Sequence, residues 1–334
     1  MYHRTLTRIL ALLVLVACGP DSIQNPLAPS APELLKGTYD AWSLATSIES
    51  APPGAHPTFN TVALEGCPFA ARDGKTFFLA SNRAGGLGGI DIYVSTRESV
   101  DESWGAPVNV GSPVNSTSDD FCPTLARDGH TFYFVSDRPG GCGGDDIYKS
   151  RWHRRASFDM PVNLGCQVNS AGNEASPFPL RERGSGEVLY YSSTRSGGFS
   201  AEAPGAVTGD ADLYRSKRQG GRFGPGELVP GVNSAFNDGQ PNVRRDAREI
   251  FFFSNRPGTL GSNDIYSASR EKARSDWSTP VNLGPNVNSS ASETRPSLSW
   301  NGTRLYFGST RAGGEGSSDI YVTTRQVDSD SDSD

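Results

Sequence analysis

Histidine and methionine are scarce in this 334-residue chain, at four and two, and cysteine is held to five. There is no C-x-x-C pair, which argues against a zinc ribbon or a thioredoxin-like redox centre. G-x-S-x-G, H-E-x-x-H and a Walker loop are also missing, so the familiar hydrolase, metalloprotease and nucleotide-binding signatures are not there. Beyond the first 17 residues no apolar run is long enough to cross a membrane as a helix. Positive charge is in deficit. The net charge is −6, and removing Arg4 and Arg8 with a cleaved leader takes the mature chain from −6 to −8. That balance argues against nucleic acid and anionic lipid surfaces as partners. No cofactor and no metal site are expected.

The two ends carry their own signals. Residues 1–17 combine a short basic start with an apolar run over 9–17, the pattern of a secretory signal. The four residues LVAC, ending at Cys18, resemble the lipobox of bacterial lipoproteins. That resemblance implies cleavage before Cys18 and a lipid on its sulfur. Gly19 follows the cysteine where an aspartate commonly retains lipoproteins at the inner membrane, so the outer membrane is the expected location. Residues 18–37 are rich in Pro, Ser and Ala and read as a flexible tether. Residues 327–334 include DSDSDSD, an acidic tail expected to be disordered.

Between them, over 38–326, the chain repeats itself five times. A proline recurs at Pro68, Pro123, Pro177, Pro241 and Pro296. Three residues before each stands an acid: Glu65, Asp120, Glu174, Asp238 and Glu293. Five residues before each acid is an asparagine: Asn60, Asn115, Asn169, Asn233 and Asn288. Arginines follow at Arg83, Arg138, Arg195, Arg256 and Arg311, and then the aspartates of a D-I/L-Y motif at Asp91, Asp146, Asp212, Asp264 and Asp319. A period of this size signals a solenoid or a propeller. Each unit reads as four strands. The first surrounds the proline and is joined by D-G-type turns (Asp73-Gly74, Asp128-Gly129) to the second. Second strands such as TFFLAS and TFYFVS are apolar almost without alternation and so are buried on both faces. D-I-Y begins the third strand, and P-V-N marks the fourth. The fold class is therefore all-β, a five-bladed β-propeller of four-stranded antiparallel blades. The last unit lacks its fourth strand, while 39–50 precede the first unit unused. An N-terminal strand is expected to complete the last blade, with Trp42 standing where Trp104 and Trp277 stand.

These motifs resemble the WD40-like repeat of TolB-type propellers. The resemblance implies a ring fold and a protein or cell-wall docking role. The acids and arginines should lie near the face that carries the second-to-third and fourth-to-first loops. Two readings of them stay open. One is a salt-bridge clamp repeated in every blade; the other is a ring of charges that receives a ligand. The glycines of SDRPGGCGGDDIY supply positive φ to the second-to-third loop. The G-G-x-G-x-D of that stretch also matches a calcium β-roll repeat, but recurs at the wrong period. The loop over 196–211 is longer than its counterparts and carries Phe199, a candidate contact residue.

Four cysteines remain after lipidation. Cys67 and Cys122 share one position in consecutive inner strands, and Cys142 and Cys166 fall in loops of one face. Disulfides Cys67–Cys122 and Cys142–Cys166 are expected, with reduced thiols as the alternative. The histidines His56, His130 and His153 occupy unrelated positions. Catalytic carboxylates usually sit in unlike environments, whereas these acids repeat in every blade. The sequence thus suggests a monomeric, non-enzymatic envelope module that binds a protein or peptidoglycan-associated partner. The alternative is a carbohydrate-binding or glycoside-cleaving propeller that uses channel-face carboxylates.

Overall fold

The computed structural model describes residues 39–153, 157–199 and 209–327. Cys18, the leader, the tether, the acidic tail beyond Val327 and most of the long loop lie outside the described residues.

Five antiparallel sheets are formed, one per repeat. In the first, Glu65–Ala70 pairs with Thr76–Ser81, then Asp91–Thr96, then Val108–Asn109. The second and fourth sheets repeat this order from Asp120–Leu125 and Asp238–Val243. The fifth begins at Glu293–Leu298 and ends at Asp319–Thr324, whose outer edge is paired by the N-terminal Thr46–Ser47. The ring closes as the sequence anticipates. Trp42 lies under the Arg325 guanidinium at 4.4 Å, as Trp104 lies under Arg97 and Trp277 under Arg270, both at 4.0 Å. Asn60 adds a second lock, accepting the Ile320 amide at 2.9 Å and donating to its carbonyl. The same two bonds join Asn115 to Ile92, Asn169 to Ile147, Asn233 to Leu213 and Asn288 to Ile265. Each asparagine thus behaves as one more backbone residue beside the third strand.

The third sheet departs from the four-strand expectation. Gly220 and Gly221, both at positive φ, let Asp212–Gln219 turn back on Arg222–Phe223, so this blade gains a short fifth strand. Glu227–Leu228 supplies its regular outer strand.

The unbroken apolar second strands are explained by neighbours on both sides. Phe77 packs against Tyr306 of the fifth blade, while the adjacent Phe78 packs against Phe132 of the second. Both phenylalanines are wholly buried, and each such side chain contributes about 1.5–3 kcal/mol. Inner strands carry one bulge each. The residue before each repeat proline, namely Cys67, Cys122, Ser176, Gln240 and Arg295, has φ between 47° and 58°, where the pairing register shifts. A bulge of this kind re-aims the side chain, and four of these residues, Cys67, Cys122, Ser176 and Arg295, line a cavity on the ring axis.

Candidate functional site

The recurring acids and arginines form five copies of one buried assembly. Asp120 accepts the Ser116 amide at 2.6 Å, the Ser116 hydroxyl at 2.8 Å and Arg138 Nη2 at 2.6 Å. Arg138 also donates to Ser136 and to the carbonyls of Pro113 and Val114, and its guanidinium lies 5.1 Å from the centre of the Tyr148 ring. Glu65 with Arg83, Glu174 with Arg195, Asp238 with Arg256 and Glu293 with Arg311 repeat the arrangement. All five acids are 0% exposed. Their oxygens are committed to the turn before the inner strand and to the arginine, so this is the clamp of the two readings. Phe199 is exposed at the start of the long loop.

The glycine loops serve the same face. Leu87, Cys142, Leu260 and Glu315 each donate a backbone N–H to the aspartate of the following D-I-Y. Gly141 is required for this wrapping, because a Cβ there would fall 2.0 Å from Asp146 Oδ2. Cys142 is joined to Cys166, and Cys67 to Cys122.

The cavity that could hold a ligand opens on the opposite face. It is an open axial space of about 670 Å³ between the first-to-second strand turns. Its rim is built by the residue four places after each repeat proline. That residue is Arg72, Arg127, Arg181 and Arg245 in four blades and Trp300 in the fifth. The four arginines are exposed, and none forms a salt bridge among the described residues. The Arg72 and Arg127 guanidinium carbons lie 5.1 and 5.8 Å from the Trp300 ring centre. Phe69 and Phe178 line the wall. Deeper along the axis a second space of about 310 Å³ shares Phe69, Thr124 and Phe178 with the first and contains Arg295.

Two expectations are corrected by this geometry. The ligand face was placed with the long loops, whereas the axial cavity opens at the short turns. A ring of channel-facing carboxylates was the chemistry considered for sugars, whereas the described residues lining the mouth include no Asp or Glu. The relevant signal lies in the sequence at the fourth residue after each proline, an arginine in four repeats and Trp300 in the fifth.

The chain matches no protein-family model and no curated protein sequence. Its fold is similar to solved structures at low identity. One is a GH43_12 protein retrieved from a capybara gut metagenome, with TM-score 0.53 and 14% identity over 86% of this chain. The present chain spans only 57% of that protein. Another is a GH62 hydrolase solved in complex with xylotriose, with TM-score 0.52 and 10% identity, covering 87% of this chain and 99% of that one. A protein assigned as TolB from Agrobacterium tumefaciens covers 87% and 99%, at 14% identity and TM-score 0.46, too distant to carry an argument.

The likeness is one of fold. It still overturns the expectation that the chain is not an enzyme, because the structures sharing this frame include glycoside hydrolases. The reason for the error is physical. The five repeated acids are buried clamps, whereas the axial mouth is lined by other residues altogether.

Proposed function

We propose that this chain is a carbohydrate-active propeller that receives a saccharide at its axial mouth. The observation that carries the reading is the rim, where Trp300 shares the opening with four unpaired arginines. An aromatic face covers the apolar face of a sugar ring, and guanidinium groups donate hydrogen bonds to its oxygens in a fixed fork. The mouth is largely pre-formed by the rigid inner strands. Hydrolysis would need two carboxylates brought to the bound sugar. One acid beside a rim residue in the chain is Asp246, next to Arg245, held by Arg244 at 2.8 Å with its side chain 41% exposed. With a lipid on Cys18 the propeller would stand on the outer membrane of a bacterial envelope, facing envelope polysaccharide.

A glycan array, followed by an assay for released reducing ends on every glycan retained, tests the reading. The expected result is saturable binding that Trp300→Ala weakens about tenfold or more, the loss of one well-packed aromatic contact. Release of reducing ends would identify a hydrolase, and retention alone a lectin-like module. No retention of any glycan, with the protein folded, would refute the proposal.

A further inference from the structure

The cation at the waist of the ring has no counter-charge. Arg295 makes no hydrogen bond and no ion pair among the described residues, and its Nε is buried without a partner. Burial alone draws its guanidinium below the ordinary arginine range, with no acid offsetting it. The position is built, not accidental. The bulge before Pro296 turns the residue toward the axis at φ 58°. Gly66 of the neighbouring inner strand makes room, since a Cβ there would lie 2.6 Å from Arg295 Nη1. Leaving a charge unmatched in a confined space is costly. A ligand that relieves it must bring an anionic acceptor for Arg295.

We infer that the axial site takes a carboxylate-bearing sugar, a uronate at the end or branch of an acidic glycan, with its carboxylate on Arg295. The inference rests on the carbohydrate reading above and narrows it to one substrate class. The rim supports it. Arg72, Arg127, Arg181 and Arg245 set a positive mouth on a chain whose net charge is −6, so the local field attracts anions that the whole molecule repels. The net charge alone pointed the other way. Trp300 can cover the sugar face while the carboxylate descends toward the waist.

The test is calorimetric titration of the full chain with an oligogalacturonate and with its carboxyl-reduced, neutral counterpart, which differ only in the acid. The expected result is at least tenfold tighter binding of the acidic oligosaccharide, falling as salt rises. Arg295→Gln is expected to erase that preference, and Arg295→Lys to keep part of it. Removing an uncompensated cation should leave the melting temperature of Arg295→Gln unchanged or higher, and a marked drop would assign Arg295 to the structure instead and overturn the inference. Equal affinity for the two oligosaccharides, or a preference untouched by Arg295→Gln, also overturns it while leaving the carbohydrate reading in place. Binding of neither, with no other glycan retained, overturns both. A short peptide with a free C-terminal carboxylate should not bind. If it alone binds, and Arg295→Gln abolishes that, the site belongs to a protein partner and the sugar assignment fails.

Discussion

Consider the substitution Arg138→Ala in the clamp of the second blade. It leaves Asp120, a carboxylate with no exposure, beside the Ser116 amide and hydroxyl and without a counter-charge. It also strips the carbonyls of Pro113 and Val114 of a donor and removes the guanidinium from the Tyr148 ring. Breaking a buried pair from one side costs about 3–5 kcal/mol. At roughly 2–4 °C per kcal/mol for a domain of this size, the melting temperature should fall by about 6–20 °C. Near-ultraviolet circular dichroism against temperature reads this directly. The double variant Asp120→Asn with Arg138→Ala should recover part of the loss, since no uncompensated charge remains. Binding of a glycan at low temperature should survive in Arg138→Ala, because the clamp and the axial mouth lie at opposite ends of the inner strands. A melting temperature within about 2 °C of the parent, or lost binding at unchanged stability, would refute the clamp.

Other predictions concern closure, cross-linking and pH. Thr46→Pro should unpair the outer edge of Asp319–Thr324, lower the melting temperature and promote association through the bared edge, as read by size-exclusion chromatography; a monodisperse, equally stable variant would mean that Asn60 and the Trp42–Arg325 contact close the ring unaided. The Cys67–Cys122 bridge encloses 55 residues of sequence separation, and replacing both cysteines by serine should cost about 2–4 kcal/mol, measured by denaturant melts; no change would show that the inner strands hold their spacing alone. The Asp145 carboxyl is pushed up to about 6, first by burial and then by Asp137 and Asp119. Its ionised form is therefore disfavoured in the fold. Its unfolded value lies near 3.8, so stability should decline as pH rises from about 4 through about 6. Asp145→Asn should accordingly melt above the parent at pH 7 and level with it near pH 4, and identical melting at both pH values would count against the shift.

Much of the molecule was written in the sequence because its determinants are local and repeated five times. The second strands show double-sided burial as unbroken apolar runs. The D-G turns, the missing fourth strand of the last unit and the spare Trp42 together define a ring and its closure. Even the extra hairpin of the third blade has a local cause, in Gly220-Gly221, although it broke the expected spacing. Chemistry was less legible. Glu65 and its four equivalents carry the same sequence signal whether they face a ligand or bury against arginine, and only packing distinguishes the two. Arg72, Arg127, Arg181, Arg245 and Trp300 are separated by 54 to 64 residues in sequence and become one site only when five inner strands converge on an axis. Arg295 has no acid within reach for the same reason, since its neighbours are the bulge residues of other blades. The sequence by itself determined the repeat, the strands and the closed ring, because hydrophobic period and turn chemistry act over a few residues. Tertiary structure alone decided which face is open and which charges are left unpaired, because burial and counter-charge depend on residues far apart in the chain.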